Sequence, residues 1–253
     1  MNFIKDKMVN RLTRGLFIAS GTEFAAELAA HAGFDYLVLD MEHGLGDEGA
    51  VLRMIRSLNG FETATIVRIP YLRIEYVKKV LDFGAAGIMC PMVETAQDAK
   101  DIVDFMRYPP EGKRGFTGAS RASGYGKDFK DYFARSNADL LCVVQIENAN
   151  GLENIDAISA VEGVDVLFVG HSDLSLNLGC YSRFDDKKMI EAELAVLAAA
   201  RKHGKIAGMM LKSGMNAQSS IDRGFTSLVL GTDIACLRSA YSKLLNESAQ
   251  EKI

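Results

Sequence analysis

Residues 140–173 read LLCVVQIENANGLENIDAISAVEGVDVLFVGHSD, and the alternation of strand-like and helical segments in this stretch indicates the fold class. It opens and closes on apolar, β-branched runs, LLCVVQIE at 140–147 and DVLFVG at 165–170, and a segment of helical period separates them. Two apolar strands joined by a helix form a βαβ unit, in which the strands run parallel. Strands of this kind are buried on both faces, so the pattern predicts a parallel sheet covered by helices.

The same alternation extends outward in both directions. The six other strand candidates are GLFIAS (15–20), DYLVLDM (35–41), ATIVRIP (64–70), GIMCPMV (87–93), KIAGMML (205–211) and SLVLG (227–231). The helix candidates are 22–32, 47–58, 74–83, 95–106, 151–160, 187–203, 213–223 and 233–246. Several begin at a capping Thr, Ser or Asp and end near Gly33, Gly84, Gly204 or Gly224. Each strand is therefore followed by a helix.

Eight near-equal units in 253 residues favour a closed (β/α)₈ TIM barrel over an open doubly wound sheet. A dinucleotide-binding sheet would need G-x-G-x-x-G after the first strand, where this chain has Ser20-Gly21-Thr22. We therefore expect residues 1–253 to form a single TIM-barrel domain. The one long irregular stretch, 107–137, is expected either to take part in contacts or to cover one barrel end.

The composition excludes several classes of partner. The net charge is −4 and the basic residues form no block, so we expect no nucleic-acid partner. The N-terminus does not resemble a signal peptide, and no apolar stretch is long enough to span a membrane. The cysteines, Cys90, Cys142, Cys180 and Cys236, form no C-x-x-C pair, which favours buried, reduced thiols in a cytoplasmic protein.

Polar residues gather where the predicted strands end. An active site in this fold lies at the C-terminal mouth of the barrel. Side chains from four different strands are therefore expected to meet there. They are Asp40 and His43 after the second strand, Arg68 at the third, Gln145 and Glu147 at the fifth, and Asp173 after the sixth.

Glu147 and Asp173 are the candidate metal ligands. Two carboxylates from neighbouring strands, with room for water and a chelating substrate, suit Mg²⁺ or Mn²⁺ better than zinc. Each acid taken alone is equally well explained as a helix cap or a rim ion pair.

His43 and Arg68 are the candidate catalytic groups. His43 is a candidate general base whose ring Asp40 could orient, although a lone histidine is more often structural. Arg68 could bind a substrate carboxylate or a developing enolate oxygen, or it could form a structural ion pair with a mouth acid.

The motifs DYLVLDMEHG, TIVRIP, VLDFGAAGIMCPMVETAQDA, RYPPEGKRG, VVQIEN, VEGVDVLFVGHSDLS and SLVLGTD, in this order and spacing, resemble the HpcH/HpaI family of class II pyruvate aldolases. The likeness covers nearly the whole chain. It implies a barrel of the phosphoenolpyruvate/pyruvate superfamily and a lyase that reversibly cleaves 4-hydroxy-2-oxo acids to pyruvate and an aldehyde. The partners are then a small 2-oxo acid and an aldehyde, and the cofactor is a divalent ion, Mg²⁺, Mn²⁺ or Co²⁺.

The resemblance also implies roles for individual residues. Glu147 and Asp173 hold the metal, which pyruvate chelates. Arg68 stabilises the enolate, and His43 moves protons together with Asp40. The resemblance further implies substrate-binding roles for Gln145, for the turn Gly170 to Asp173 with Ser172, for Met210, and for Asp82, which reaches a neighbouring subunit's site in a hexamer. Two residues depart from the family pattern: His171 replaces a proline and Met210 replaces a leucine.

Three rival hypotheses stay open. Lys212 follows the seventh strand and could form a Schiff base with a 2-oxo acid, although it is expected past the strand end on a solvated helix start. A second rival is a lyase or decarboxylase that uses the same enolate on a different acid. The third is a non-catalytic protein that binds 2-oxo acids.

Overall fold

Eight parallel strands close into a barrel in the computed structural model, which describes residues 3–248. Each strand pairs with the strands before and after it in the chain, and the eighth pairs with the first. The strands are β1 Thr13–Ile18, β2 Tyr36–Asp40, β3 Ala64–Arg68, β4 Gly87–Cys90, β5 Leu141–Ile146, β6 Val166–Val169, β7 Ile206–Met210 and β8 Ser227–Thr232. All eight predicted strands, and the closed barrel itself, are confirmed.

The helices follow the strands around the outside. They are α1 Phe3–Asn10, α2 Glu23–His31, α3 Glu48–Ser57, α4 Ile74–Phe83, α5 Ala96–Met106, α6 Phe129–Asp139, α7 Ala149–Glu153, α8 Ile155–Ser159, α9 His171–Asn177, α10 Lys187–His203, α11 Ala217–Arg223 and α12 Asp233–Ser248. The predicted start and stop signals hold: Thr22, Asp47 and Thr95 cap the helices that follow them, because each side chain accepts a first-turn N–H. Gly84 and Gly204 end their helices in the left-handed conformation.

The prediction of an irregular stretch at 107–137 was wrong in part. This stretch contains a 3₁₀ segment, Arg121–Gly126, and helix α6. Rings of Tyr108, Phe116 and Phe133 pack against one another here, with Tyr108 and Phe133 centroids 5.1 Å apart. Phe129 and Phe133, one turn apart on α6, pack against each other and against Phe116, so a face of aromatic rings supports this helix.

Two helix predictions needed correction, and two further helices were missed. The single helix predicted at 151–160 is two short helices, α7 and α8, which meet at Asn154. The helix predicted at 213–223 begins later, at Ala217, with Asn216 as its cap. Neither α1 nor α9 was predicted.

Apolar side chains fill the barrel interior. Phe17, Tyr36, Ile66 and Phe168 belong to one interior cluster, so the barrel is a packed core and not a pore. Helix α1 contributes its buried residues Ile4 and Met8 to this same cluster. Helix α1 thus covers the N-terminal end of the barrel, and the C-terminal strand ends, where the polar residues lie, form the opposite mouth.

Helix α12 leaves most of its surface exposed. Its large apolar side chains in solvent are Ile234, Leu237, Tyr241, Leu244 and Leu245. Cys236 on this helix is exposed too, which corrects the expectation that all four cysteines are buried; Cys90, Cys142 and Cys180 are buried, and all four are free thiols. Over residues 3–248 we find no helix with the length and apolar character of a membrane span.

Candidate active site at the barrel mouth

Arg68 and Asp40 form the centre of one side of the mouth. The register of β2 and β3 pairs these two residues directly, so their side chains leave the barrel at the same height. Arg68 Nε lies 2.9 Å from Asp40 Oδ1, and its second terminal nitrogen lies 2.6 Å from Oδ2. The other terminal nitrogen lies 3.0 Å from Glu42 Oε2. The structure thus shows the ion pair with mouth acids that the sequence left open as one role for this arginine.

The surroundings of Arg68 keep it charged and oriented. Its guanidinium carbon lies 4.7 Å from the centre of the Phe17 ring, within range of a cation–π contact. Burial acts to lower the pKa of Arg68, but the Asp40 and Glu42 carboxylates outweigh it and hold the pKa above its usual value. A guanidinium carries five N–H donors. The three contacts to carboxylates therefore leave donors free for a ligand in the mouth.

Glu147 lies deeper, and two donors fix its carboxylate. The residue is only 3% exposed. Its Oε1 accepts the Met92 N–H at 2.7 Å, and its Oε2 accepts Gln145 Nε2 at 2.9 Å. Met92 has a φ of 52°, an uncommon conformation for a residue with a side chain, and such strain is concentrated at functional sites. Gln145 therefore positions Glu147, and its own Oε1 is buried without a hydrogen-bond partner.

The carboxylate of Glu147 also lies against the start of α9. A Cβ atom at Gly170 would collide with this carboxylate, so the close approach requires glycine at that position. Asp173 lies in the first turn of α9, and its charge raises the pKa of both Glu147 and Glu42. Three carboxylates thus face one another at the mouth.

Burial is the first cause of the unusual titration of Glu147. It raises the pKa to about 7, with Glu42 and Asp173 adding to the rise, while the Met92 N–H and Arg68 oppose it. Burial likewise raises the pKa of Glu42. Carboxylates that repel one another in a partly dry site are stabilised by a cation placed between them.

The carboxylates of the mouth suit a metal ion that also binds water and substrate oxygens. Within residues 3–248, no three His, Cys, Asp or Glu side chains are arranged to hold a metal by themselves. Mg²⁺, however, is commonly bound by one or two carboxylates and completes its shell with water and substrate oxygens. Glu147 and Asp173, from neighbouring strand ends, fit that requirement.

His43 is placed differently from the expectation. Its side chain is 68% exposed, and its Nε2 lies 3.8 Å from Glu42 Oε2. Asp40 accepts the backbone N–H groups of Glu42 and His43, at 3.0 and 3.3 Å, and it does not contact the imidazole. The acid nearest the ring is therefore Glu42, whereas Asp40 organises the turn and Arg68.

Lys212 lies in the mouth, and this corrects the expectation of a solvated helix start. The residue follows β7 in a loop that ends before α11, and its Nζ donates to Ser172 Oγ at 2.8 Å. Burial lowers the pKa of Lys212, while the charge of Asp173 opposes this change.

The mouth cavity, of about 50 Å³, collects most of the predicted site residues. Its lining includes Arg68, Gln145, Glu147, Gly170, Ser172, Asp173, Met210 and Lys212. Asp82 lies elsewhere, on α4 outside the barrel, where its Oδ1 is 2.8 Å from a terminal nitrogen of Arg114. A larger cavity of about 610 Å³ lies beside α10 and α11. Of the two cavities, only the smaller one is lined by charged groups from four strands, and we place the site there.

His171 connects the turn at the start of α9 to helix α10. This residue is buried, and its Nε2 lies 2.7 Å from Glu193 Oε1 on α10. The other oxygen of Glu193 contacts Arg223 at the end of α11. A histidine in place of the proline expected by resemblance thus ties the turn that carries Asp173 to two outer helices.

Sequence reasoning missed two residues of the site. Glu42 was not selected, although it is two residues after Asp40 in the same turn, a spacing that could have identified it. Phe17 lies on β1 in an apolar run, and nothing in the sequence marks it as the ring beneath Arg68.

Known proteins resemble this chain in sequence and in fold. The family model described as HpcH/HpaI aldolase/citrate lyase matches residues 13–240. A 5-keto-4-deoxy-D-glucarate aldolase of Klebsiella pneumoniae is 37% identical over 230 residues, which cover 91% of this chain and 90% of the relative. A relative of the same name from Citrobacter koseri is 37% identical over 234 residues, which cover 92% of this chain and 91% of that protein. The solved structure of an HpcH/HpaI aldolase/citrate lyase family protein from Burkholderia cenocepacia superposes with a TM-score of 0.94 at 32% identity, and covers 98% of this chain and 100% of its own.

Proposed function

The chain belongs to the HpcH/HpaI aldolase/citrate lyase family, and from this we propose that it is a carbon–carbon lyase, a class II aldolase that reversibly cleaves 4-hydroxy-2-oxo acids to pyruvate and an aldehyde. The observation that carries the proposal is the convergence of Arg68 with Glu147 and Asp173 in one mouth cavity. An enolate needs a fixed positive charge beside its oxygen, and this cavity offers a guanidinium and a pair of carboxylates for a cation.

The relatives' name describes a substrate of the expected class. A 5-keto-4-deoxyglucarate is a six-carbon diacid. Numbered from its other end, it is a 2-oxo acid with a methylene at C3 and a hydroxyl at C4. Cleavage between C3 and C4 gives pyruvate and a three-carbon aldehyde that carries a carboxylate. We propose a substrate of this kind for the present chain.

Glu147 and Asp173 are the proposed ligands of a divalent ion, Mg²⁺, Mn²⁺ or Co²⁺. When bound, such an ion supplies Lewis acidity that favours negative charge on the keto oxygen of the substrate. Gln145 and the Met92 N–H hold Glu147 in one orientation, so the ligand is positioned before any ion arrives.

The remaining steps fall to the side chains of the mouth. His43, next to Glu42, accepts the proton of the C4 hydroxyl; the C3–C4 bond breaks, its electron pair passes to C3, and the aldehyde leaves. Arg68 stabilises the developing charge on the C2 oxygen with the N–H groups that Asp40 and Glu42 do not occupy. Protonation at C3 then gives pyruvate. Met210 and the turn from Gly170 to Asp173 line the space for the substrate.

We further propose that the enzyme is a cytoplasmic homo-oligomer, a hexamer as the family resemblance implies. The exposed apolar side chains of α12 support an assembly, because a subunit partner would remove them from water. Asp82 lies on α4, outside its own mouth, and we propose that it contributes to a neighbouring subunit's site.

The decisive experiment measures pyruvate release from 4-hydroxy-2-oxo acids by the purified full chain, before and after EDTA and with Mg²⁺, Mn²⁺ or Co²⁺ restored. Loss of turnover with EDTA and its recovery with metal are the expected results. Activity that EDTA does not affect would contradict the metal site. Affinity for pyruvate or oxalate without any turnover would favour the binding protein, and carbon dioxide as a product would favour the decarboxylase.

The same assay on two variants tests the ligands. Glu147→Gln and Asp173→Asn keep the shape of each side chain and remove its charge, so each should abolish metal-dependent turnover. Glu62→Gln, on the surface and outside the mouth, is the matched control. Full activity in either ligand variant would overturn the assignment.

A further inference from the structure

Lys212 differs from the other strong cation of the mouth in what it contacts. Arg68 is engaged by the carboxylates of Asp40 and Glu42. The Nζ of Lys212 donates instead to the neutral hydroxyl of Ser172, at 2.8 Å. Among residues 3–248, no carboxylate oxygen lies within 4.0 Å of this Nζ. Among the described residues, this ammonium group therefore forms no ion pair, although the charge of Asp173 acts on it from a greater distance.

A partly buried charge without an ion-pair partner destabilises the fold unless a ligand supplies the opposite charge. Lys212 is partly buried in the cavity lining. Removing an ammonium group from water without an opposite charge is unfavourable. The group has three N–H donors, and Ser172 uses one of them. The two remaining donors, on a positive charge that forms no ion pair with the described residues, suit an anionic group of a ligand.

The position of Lys212 indicates which part of a ligand it meets. Arg68 ends β3 and Lys212 follows β7, and these strands lie across the barrel from each other in the closed order of eight. Glu147 and Asp173 come from β5 and from the turn after β6, between them. A molecule whose keto group lies near Arg68 and the two acids therefore has its far end within the reach of the β7 side of the mouth.

We propose that Lys212 binds the carboxylate of the aldehyde half of the substrate and thereby selects 4-hydroxy-2-oxo diacids over acids with an uncharged tail. This rests on the proposed aldolase function and adds a specificity-determining residue to it. The free donors of Arg68 are assigned to the C2 oxygen in the proposed reaction, on the opposite side of the mouth from Lys212. The ammonium group of Lys212 acts as a charged donor and forms no covalent bond, in contrast to a Schiff-base lysine.

The test compares two substrates that differ only at the far end. One is 5-keto-4-deoxy-D-glucarate, and the other is the six-carbon acid with a primary alcohol in place of the second carboxylate. Lys212→Met keeps the length of the side chain and removes its charge, whereas Lys212→Arg keeps the charge. Lys187→Met is the matched control, because this lysine is 87% exposed at the start of α10 and does not line the mouth cavity.

Pyruvate release is measured at several concentrations of each substrate, with metal present. For Lys212→Met we expect kcat/KM on the diacid to fall roughly 10- to 100-fold, mainly through KM, because a hydrogen bond to a charged group is lost. On the alcohol the same variant should stay near wild type, which also shows that it is folded. Lys212→Arg should recover most of the diacid activity, and Lys187→Met should match wild type on both substrates.

Other results would overturn the proposal. Equal losses on both substrates would make Lys212 structural or catalytic, and no loss on either would remove it from recognition. Borohydride reduction with pyruvate that adds mass at Lys212 would establish the Schiff base instead. If the wild-type protein releases pyruvate from neither substrate, the aldolase function itself fails, a result distinct from a failure of Lys212 alone.

Discussion

Arg68 holds Asp40 through two nitrogens, with Nε 2.9 Å from Oδ1 and a terminal nitrogen 2.6 Å from Oδ2. The two residues are direct register partners on β2 and β3. The barrel itself therefore sets the angle at which the guanidinium faces the mouth, and a shape-specific contact of this kind cannot be kept by a lysine.

Arg68→Lys should lower kcat about 100-fold, because the enolate oxygen loses a fixed pair of donors. Metal affinity should change little, since Arg68 is not among the proposed ligands. Steady-state pyruvate release and a metal titration measure the two effects. Arg53→Lys, on the outer helix α3, is the control; a kcat near wild type in Arg68→Lys would contradict the proposed role.

Glu147→Gln should stabilise the metal-free protein while abolishing turnover. Burial raises the pKa of Glu147 from 4.5 to about 7, so the stability linked to this carboxyl is present below pH 4.5 and is lost as the pH rises through about 7. At pH 8 the variant should unfold with a free energy higher by about 1–3 kcal/mol. Gln145 can turn its unpartnered Oε1 toward the new amide.

Urea denaturation of the metal-free protein at a series of pH values measures this change. The gain should shrink as the pH falls toward 4.5. Glu62→Gln, on the surface, should show no such dependence. A variant that is less stable than wild type at pH 8 would show that the charge of Glu147 does not destabilise the metal-free fold.

Glu193→Ala should weaken the fold around the turn that carries Asp173. Glu193 is 1% exposed and contacts both His171 and Arg223, so its removal leaves a buried histidine and a partly buried arginine without their carboxylate partner. We expect a loss of about 3 kcal/mol in the free energy of unfolding. Urea denaturation measures it, and Glu191→Ala, an exposed acid on the same helix, should cost less than about 1 kcal/mol. Equal effects of both substitutions would contradict a supporting network.

Mixing two inactive variants should restore activity if sites are shared between subunits. Asp82→Asn lacks the proposed contribution to a neighbour, and Glu147→Gln lacks the metal ligand. Random co-assembly gives about a quarter of the sites both wild-type residues. The readout is pyruvate release after the variants are co-expressed, with size-exclusion chromatography as the check on assembly. No recovery from a mixed oligomer would place Asp82 outside the active site; its pair with Arg114 would then be structural.

The strands were predictable because each is a short apolar run between turn signals, as in Val166–Val169. The C-terminal mouth followed from strand order, and so did the meeting of Arg68 with Glu147 and Asp173. Helix α6 was missed although Phe129 and Phe133 have helical spacing, because the glycines and prolines before it make the whole stretch look irregular. The position of Lys212 was predicted wrongly because Asn216, and not Ser213, caps the next helix. The local spacing of polar residues does not distinguish these two caps.

Helix α1 seals the far end of the barrel with Ile4 and Met8. An active site with one opening imposes an order on its ligands: the molecule that binds first lies deepest and leaves last. In the proposed reaction the aldehyde half lies above pyruvate, toward the opening. Cleavage should then release the aldehyde before pyruvate, and synthesis should bind pyruvate before the aldehyde, because the packed interior of the barrel leaves the mouth as the way in and out.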